Sequence, residues 1–394
     1  MCLGVLPSRS VLSRPLLLCY TICAVVHLAS VGLSTLLPLH VVDLGGSRTQ
    51  VGLMFSVMTI VSMVLRPAVG GWIDRVGARP VILPGITAMA GVSLALQLPR
   101  RPETVIVVMA FAGIANALVN TTANVLTARA STPSHRGEAM GLYYLASSLS
   151  IAVAPPVALA LYRSAGMPVG LAIVTALTLV LFAVTLAIPR EVTARVAGVR
   201  AGFRLFSRHA LPVTPALVLT TVGYSAIYAF VPLYAIGRGQ GAVVVWFFTV
   251  YSVWLIACRA LFGGLSDRVG RTRVAVPAMA LTAAAYLVLA IPPSPVSLIA
   301  AAVLMGSGNS VLYPTLIAVV LDRTPDTERG VALGSASAAW DLGVVVGSAL
   351  VGFVADRVSF GAGFAVAGVA AMLGVLAFVV GERRGLHPAA APTA

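Results

Sequence analysis

The sequence has very little charge, and among its basic residues there is no lysine. Only 10% of its 394 residues are charged and only 12 are acidic, whereas 59% are hydrophobic. A soluble domain of this size could not cover so much apolar surface with so few charged side chains. The scarcity of charge therefore excludes an ordinary soluble protein.

The sequence also lacks nucleotide-binding, metal-binding and catalytic motifs. No Walker-type G-x4-G-K-[ST] motif occurs, which excludes a self-contained ATP-driven pump. The four cysteines have no metal-binding or disulfide spacing, so neither a metal nor another cofactor is predicted. No nucleophile or general base has recognisable partners, so an enzyme is not expected.

The formal net charge of +14 comes entirely from 26 arginines. They lie in short polar segments at regular intervals and form no single basic patch, which argues against a nucleic-acid partner. Between these segments are apolar runs long enough to cross a hydrocarbon layer, which takes roughly 20 helical residues. The sequence thus predicts an all-α membrane protein embedded in a lipid bilayer, with twelve transmembrane helices. Their expected limits are 16–40, 50–73, 80–98, 104–126, 139–162, 168–188, 212–236, 242–264, 273–292, 296–320, 331–354 and 359–381.

Arginine placement predicts the orientation. Eighteen arginines fall in the loops on the side of the two termini, six in the opposite loops, and Arg66 and Arg259 fall inside spans. By the positive-inside rule both termini are cytoplasmic, and the expected location is the plasma membrane. The longest soluble stretch, 189–211, is basic, which suits the anionic cytoplasmic leaflet.

A repeated segment explains the architecture. "RPAVGGWIDRVGARP" (66–80) returns as "RALFGGLSDRVGRTR" (259–273), offset by 193 residues. The same offset aligns landmarks across about 75 residues without a gap, which indicates a duplicated six-helix unit. The predicted organisation is an N-terminal bundle (1–188), a cytoplasmic linker (189–211) and a C-terminal bundle (212–394). The aligned pairs are Gly71 and Gly264, Asp74 and Asp267, Arg75 and Arg268, Gly77 and Gly270, Gly113 and Gly306, and Asn116 and Asn309.

These motifs resemble the signature of the major facilitator superfamily, and the resemblance covers essentially the whole chain. The second copy fits the pattern G-x-L-x-D-R-x-G-R well, whereas the first has Trp72 and Ala78 where Leu and a basic residue are usual. The resemblance implies two pseudo-symmetric bundles and alternating access. It also implies a gating role for the repeated loops. The alternative is that each loop is only a tight, solvated turn between helices. The residues given that role are Gly71, Asp74, Arg75, Gly77, Arg129, Gly264, Asp267, Arg268, Gly270 and Arg271.

Ionisable groups inside a membrane are costly and need a reason. Four occur: His27, Arg66, Arg259 and Asp341. The two arginines stand near the cytoplasmic end, and a structural role is favoured over substrate binding. Asp341 and His27 are the proton-coupling candidates, because a buried carboxylate holds its proton more readily and histidine titrates near neutral pH. An ion pair or hydrogen bond between helices is the alternative for each.

By the same resemblance, spans one, four, seven and ten line a central cavity. Asn116 and Asn120 share one face of span four, Tyr224 and Tyr228 are one turn apart in span seven, and Asn309 repeats Asn116. Amides and phenols in an apolar cavity suit a neutral or weakly charged, partly aromatic small-molecule substrate. Interhelical hydrogen bonding and aromatic packing are the alternatives.

The exporter pattern of span five, G-x8-G-x3-G-P-x2-G-G in drug–proton antiporters, survives only in part. Gly141, Pro155 and small residues remain, while most of the glycines do not, and Met109 replaces the arginine usual in span four. The predicted function is proton-coupled efflux of small, moderately hydrophobic molecules by a functional monomer. A proton-linked importer of a sugar or another neutral metabolite is the alternative.

Overall fold

The computed structural model describes residues 12–98, 101–132, 135–189, 207–208, 210–262, 265–325 and 328–385. Within this part the chain is all helical and contains no strand, which confirms the predicted fold class. The helices are α1 (Arg14–Asp43), α2 (Arg48–Val76), α3 (Arg79–Ala95), α4 (Pro102–Ala130), α5 (Arg136–Leu186), α6 (Thr214–Thr221), α7 (Tyr224–Ile236), α8 (Gly241–Phe262), α9 (Leu265–Val269), α10 (Arg271–Ala290), α11 (Pro295–Asp322), α12 (Arg329–Arg357) and α13 (Phe360–Gly385).

Ten helical segments of the described chain are long and apolar enough to cross a membrane, with α6 and α7 together forming one of them. The protein is therefore a multi-pass membrane protein. The apolar helix α3 is shorter, at 17 residues, and α5 is far longer than one crossing needs. If α3 is added to these ten segments and α5 is counted as two crossings, the number of spans is consistent with the twelve predicted.

Gly166 divides α5. The apolar part of this helix, Ala139–Leu186, has 48 residues, and at a rise of 1.5 Å per residue it would extend about 72 Å, more than twice a hydrocarbon layer. At Gly166 the backbone turns to φ 78° and ψ 178°, a conformation that only glycine adopts readily. The break lies inside the interval from 162 to 168 that was predicted to separate spans five and six.

Contacts between Cα atoms divide the chain into two compact units. The first unit contains α1, α2 from Val57 onward, α3, α4 and α5. In this unit α1 packs along α5, and α3 packs against α4. Its core is a cluster of buried apolar side chains from these helices, such as Ile22, Ile73, Ile82 and Leu126.

The second unit contains α6 to α13 together with residues Ser47–Ser56 at the start of α2. In it α10 packs between α11 and α13, and α12 packs against α6. Glycines make the last contact close: a Cβ atom at Gly347 would lie 1.8 Å from the carbonyl oxygen of Val222. Small residues at such crossings let helix backbones approach within a membrane.

The beginning of α2 is fixed by the end of α12. The carboxylate of Asp356 accepts hydrogen bonds from the backbone N–H groups of Arg48, at 2.9 Å, and Thr49, at 2.7 Å. A carboxylate at this place satisfies orphan donors and faces the positive end of the helix. Two turns further on, the hydroxyl oxygens of Ser56 and Ser348 lie 2.8 Å apart. Residues Ser47–Ser56 thus belong physically to the second unit.

Candidate functional site

A cleft in the first unit is lined by residues of α1, α2, α3 and α4. The space inside it that a water-sized sphere can occupy is about 40 Å³. Asn116 and Asn120, which sequence reasoning placed in a cavity, both line it. We call it the first-unit cleft. Its lining consists of Val26, Ser30, Leu33, Ser34, Met58, Met89, Val92, Met109, Ala112, Ala115, Asn116, Val119 and Asn120.

A close helix approach positions Asn116. A Cβ atom at Gly113 would lie 2.5 Å from the carbonyl oxygen of Met58, so only glycine lets α4 come so near α2. One turn along α4, the side-chain oxygen of Asn116 accepts a hydrogen bond from the hydroxyl of Ser62 at 3.2 Å. This bond fixes the amide at the wall of the first-unit cleft. Since its oxygen is the acceptor, the NH2 group of Asn116 is the end that can donate to a ligand.

Asn124, the third asparagine on this face of α4, bonds within the protein. Its amide nitrogen donates to the carbonyl oxygen of Asn120 at 2.9 Å and to the hydroxyl of Tyr143 at 3.3 Å. Asn124 is not part of the cleft lining. Interhelical hydrogen bonding, the stated alternative to cavity lining, is present at Asn124 and also at Asn116, whose partner Ser62 lies on α2.

His27 lies next to the first-unit cleft without lining it. Its Nδ1 atom is 2.8 Å from the carbonyl oxygen of Cys23, one turn earlier in α1. A carbonyl oxygen only accepts, so Nδ1 donates, and Nε2 is the atom that gains or loses a proton. Because of their helical spacing, His27, Ser30 and Ser34 share one face of α1, and the two serines reach the cleft.

Tyrosines and other aromatic residues form a connected group in the second unit. The ring of Tyr224 packs edge-on against Tyr228 at 5.8 Å and against Trp340 at 5.1 Å, between centroids. Trp340 in turn packs edge-on against Tyr313 at 4.8 Å. Such arrangements suit the ring quadrupoles and stabilise the group beyond its burial alone. Tyr228 also stacks on Phe248 at 5.8 Å, so aromatic packing, the stated alternative to cavity lining, is present here.

Asn309 belongs to the same region. Its amide nitrogen donates to the hydroxyl of Tyr251 at 3.2 Å, and its oxygen lies 3.4 Å from the hydroxyl of Thr282. The side chain of Asn309 is half-buried, while Tyr251 is 2% exposed. Tyr228 is 7% exposed; by geometry its hydroxyl completes no hydrogen bond among the described residues, although it lies beside the hydroxyls of Tyr224 and Tyr251.

Asp341 is a buried carboxylate, 8% exposed, about three turns into α12. The helix around it is held against α6 and α7. The hydroxyl of Thr221 donates to the carbonyl of Trp340 at 3.3 Å, and that of Ser225 lies 3.4 Å from the carbonyl oxygen of Val344. Asp341 therefore lies on a rigidly packed stretch of helix, immediately after an aromatic residue of the second unit.

The repeated loops share one backbone feature. Gly77 and Gly270 have φ angles of 90° and 104°, so each loop needs glycine at its turn. Arg75 and Arg268 are exposed. Gly71 has room for a side chain, because no atom lies within 4 Å of a Cβ placed there.

Other members of the gating motif fall outside the described part. Gly264 is not described, nor are the side chains of Asp74 and Asp267. Most of the predicted linker, 190–206 and 209, is likewise outside it. Where the second loop is described, Arg271 pairs with Asp322 at 3.0 Å and donates to the hydroxyl of Ser266 at 2.9 Å.

Sequence reasoning missed several residues of these sites. Ser30, Ser34 and three methionines line the first-unit cleft, but small and apolar residues carry no signal in an apolar chain. Tyr251 gave a weak signal. The 193-residue offset aligns it with Met58, and Met58 lines the cleft. Across the described residues, no group of three His, Cys, Asp or Glu side chains could hold a metal ion.

A helical, multi-pass chain with half-buried amides, buried phenols and a buried carboxylate inside its spans is built like a solute transporter. The family model of the Major Facilitator Superfamily matches residues 19–245 and 239–393. The chain belongs to this superfamily of membrane transporters, as its motifs predicted.

Two curated relatives cover most of the chain. An uncharacterized MFS-type transporter of Burkholderia pseudomallei is 28% identical over 344 residues, which are 84% of this chain and 83% of the relative. The staphylopine export protein of Staphylococcus aureus is 26% identical over 368 residues, which are 89% of this chain and 92% of that protein.

Solved structures agree in fold. The crystal structure of the nucleoside transporter NupG has a TM-score of 0.77 at 14% identity and covers 93% of this chain and 100% of its own. A POT family transporter in complex with 5-aminolevulinic acid has a TM-score of 0.81 at 10% identity and covers 94% and 96%. At such low identity these structures show the fold alone.

Proposed function

We propose that this chain is a secondary active transporter that exports small, moderately hydrophobic molecules in exchange for protons. The observation that carries the direction is the similarity to the staphylopine export protein, which extends over 89% of this chain. The weakened exporter pattern of span five supports the same direction. Transport proceeds by alternating access between two six-helix bundles, 1–188 and 212–394, joined by the linker 189–211.

Substrate binding is assigned to the polar groups within the spans. In the first unit these are Asn116 and Asn120, both of which line the cleft. In the second unit they are Tyr224, Tyr228 and Asn309. Few polar groups on largely apolar walls favour ligands with an apolar body and one or two hydrogen-bonding groups.

Proton coupling is assigned to Asp341, with His27 as a second group. A carboxylate that is 8% exposed within a membrane span is expected to carry a function, because burial of its charge is expensive. Nε2 of His27 is the atom that would exchange a proton. The charged residues of the repeated loops, including Asp74 and Arg75, are assigned to gating at the cytoplasmic ends of the helices.

The protein is proposed to act as a monomer in the plasma membrane, with both termini in the cytoplasm. Eighteen arginines in the loops on the terminal side support this orientation. Cysteine labelling of an engineered residue in the N-terminal tail, from either side of the membrane, tests it directly.

Export is tested in everted membrane vesicles, in which the cytoplasmic face is outside. After acidification of the lumen, a panel of fluorescent probes (ethidium, Hoechst 33342 and fluorescein) is added. We expect at least one probe to accumulate in vesicles that contain the protein, and a protonophore to abolish the accumulation. Vesicles from cells with empty vector are the control. If intact, energised cells instead accumulate more of every transported probe when the protein is present, transport is inward and the proposal is wrong.

A further inference from the structure

A hydrogen bond between two helices orients the amide of Asn116 in the first unit. The hydroxyl of Ser62 on α2 donates to the side-chain oxygen of Asn116 on α4 at 3.2 Å. Ser62 is only 2% exposed, so it lies in the packed interface between these helices. The close approach at Gly113, where a Cβ atom would lie 2.5 Å from the carbonyl oxygen of Met58, brings the two side chains within reach. The oxygen of Asn116 thus points toward α2, and its NH2 group is the end available to the first-unit cleft.

The repeat-related amide of the second unit bonds in the opposite sense. There the NH2 group of Asn309 donates to the hydroxyl of Tyr251 at 3.2 Å. The residue aligned with Ser62 is Leu255, which has no hydroxyl to donate. Of the two aligned positions, therefore, only Ser62 can hold the amide by its oxygen. Asn116 presents its donor to the cleft, whereas Asn309 uses its donor within the protein.

The polar part of the first-unit cleft is uncharged. Among the described residues that line it, the polar ones are serines and asparagines, and none carries a charge. An ionic group that entered would lose its hydration without meeting an opposite charge on the lining. Asn120 also lines the cleft and can either donate or accept, so the fixed orientation of Asn116 decides which kind of group is preferred. That group is an uncharged hydrogen-bond acceptor.

The size and the walls of the cleft limit what enters it. The volume of about 40 Å³ that a water-sized sphere can occupy is room for about three water molecules, which matches a small group such as an acetyl or a carboxamide. Met58, Met89 and Met109, on α2, α3 and α4, form part of its wall. Thioether side chains are flexible and contact aromatic rings favourably. The cleft thus suits the small polar end of a ligand whose apolar or aromatic body contacts methionine.

We propose that the first-unit cleft binds the uncharged carbonyl group of a ketone or amide substrate, which accepts a hydrogen bond from the NH2 group of Asn116. Ser62 is a positioning residue, because it holds the oxygen of Asn116 away from the ligand. This inference rests on the proposed transport function and specifies its substrate class. In the competing interpretation the bond from Ser62 only braces α2 against α4, and ligands with and without a carbonyl group bind alike.

The test compares three probes that share a fluorophenyl ring: 4-fluoroacetophenone, an acceptor; 4-fluoroaniline, chiefly a donor; and 4-fluorobenzoate, an anion. Binding to the purified full-length protein in detergent is measured by fluorine NMR at pH 7.5, with empty micelles as the blank. We expect the ketone to bind about threefold more tightly than the aniline and about tenfold more tightly than the benzoate. Methyl-labelled methionine locates the site. The ketone should shift the NMR signals of Met58, Met89 and Met109 and leave those of Met279 and Met305, which are buried in the second unit, unchanged.

Two variants separate recognition from packing. In Asn116→Leu, which is similar in size but has no donor, the ketone should bind at least fivefold more weakly. Ser62→Ala allows the amide of Asn116 to turn its oxygen toward the ligand, so the preference for the ketone over the aniline should disappear. Ser62→Thr keeps the hydroxyl and should restore that preference. Asn124→Leu, at an asparagine on the same face of α4 but outside the cleft lining, is the matched control and should keep it too.

The inference is overturned if the wild-type protein binds the three probes alike, or if the methionines of the cleft do not respond to the ketone. It is also overturned if Asn116→Leu keeps the full ketone affinity or Ser62→Ala the full ketone preference. If Ser62→Ala does not fold, the wild-type preferences and Asn116→Leu decide. Because binding is measured without a gradient, loss of vesicle transport with the ketone preference intact would contradict only the proposed function.

Discussion

The two repeat-related units place different partners around the same amide. In the first unit Asn116 accepts a hydrogen bond from Ser62 at the wall of a cleft. Its equivalent in the second unit, Asn309, donates to Tyr251, and the residue aligned with Tyr251 is Met58, which lines the cleft. Both units thus have an asparagine at the same position, but the side chains around it differ. They are apolar and flexible around Asn116, and aromatic with hydroxyl donors around Asn309.

The repeated loops differ in the same way. In the second copy, Arg271 and Asp322 form an ion pair. The aligned residues of the first copy are Ala78 and Arg129, which cannot form that pair. The second loop is therefore tied to its own unit by a contact that the first loop lacks, and gating by the two copies should differ.

The largest expected effect concerns the close contact between α12 and α6, which the first unit does not copy: the residue aligned with Gly347 is Ala154. In Gly347→Ala the new Cβ atom would lie 1.8 Å from the carbonyl oxygen of Val222. Backbone would have to move, and we expect a loss of about 3 kcal/mol or more in the free energy of unfolding. Thermal unfolding of the purified protein measures it.

Gly334→Ala on the same helix is the matched control. No atom lies within 4 Å of a Cβ atom at Gly334, and alanine favours a helix over glycine by about 1 kcal/mol. This variant should be as stable as the wild-type protein or more so. Equal unfolding temperatures for both variants would show that the α6–α12 contact is not close.

The second effect concerns Asp341, whose aligned residue in the first unit is Ser148. We expect Asp341→Asn to reduce substrate-driven proton flux at least tenfold, because the amide cannot exchange a proton in the same way. Proteoliposomes with an internal pH-sensitive dye measure the flux. Asp43→Asn, at an exposed carboxylate outside the repeated loops, should leave it unchanged. Wild-type flux in Asp341→Asn would remove this residue from the coupling mechanism.

A smaller effect distinguishes Tyr251 from Tyr228. Tyr251→Phe removes the acceptor of Asn309 and should destabilise the protein by about 1 kcal/mol. By geometry the hydroxyl of Tyr228 completes no hydrogen bond among the described residues, although it lies beside those of Tyr224 and Tyr251, so Tyr228→Phe should be neutral or slightly stabilising. Unfolding in detergent at several temperatures compares them. If Tyr228→Phe destabilised the protein as much as Tyr251→Phe, its hydroxyl would have a partner after all.

The smallest effect concerns Arg271 and Asp322. Because both side chains are partly exposed, at 29% and 55%, a double-mutant cycle with Arg271→Ala and Asp322→Ala should give a coupling of about 0.2–1 kcal/mol. The coupling should decrease as salt is added. A coupling that does not respond to salt would mean that the pair is held by something other than charge.

Hydropathy predicted the helices well because each must span the same hydrocarbon thickness. Gly166 divides α5 inside the predicted gap. The division between α6 and α7 was not predicted, and it is slight, because Val222 and Gly223 keep right-handed helical backbone angles. The close packing at Gly223 was not predicted either: a Cβ atom there would lie 2.4 Å from the ring of Tyr286. The sequence around Gly223 does not predict a contact with Tyr286, which is far away along the chain.

The candidate site was predicted where a polar residue stands out from an apolar background. Asn116 and Asn120 met that condition, and they line the first-unit cleft. Met58 and Tyr251 were missed because they lie in spans two and eight, which the family resemblance does not assign to the cavity. The Nε atom of Arg259 donates to the carbonyl oxygen of Ser310, which Pro314 leaves without a helical N–H partner. That contact connects α8 with α11, so the sequence around Arg259 could not predict it.

The hydrogen bonds from the backbone of Arg48 and Thr49 to Asp356 have a consequence for split-gene complementation. If the coding sequence were cut within 189–211, the C-terminal fragment would be expressed without residues 47–56, which its compact unit incorporates. That fragment would keep a vacant docking groove along α12 beside Ser348 and Gly352. Reassembly of the two fragments would then require residues 47–56 of the N-terminal fragment to dock into this groove. A synthetic peptide of residues 47–56 would compete with that docking.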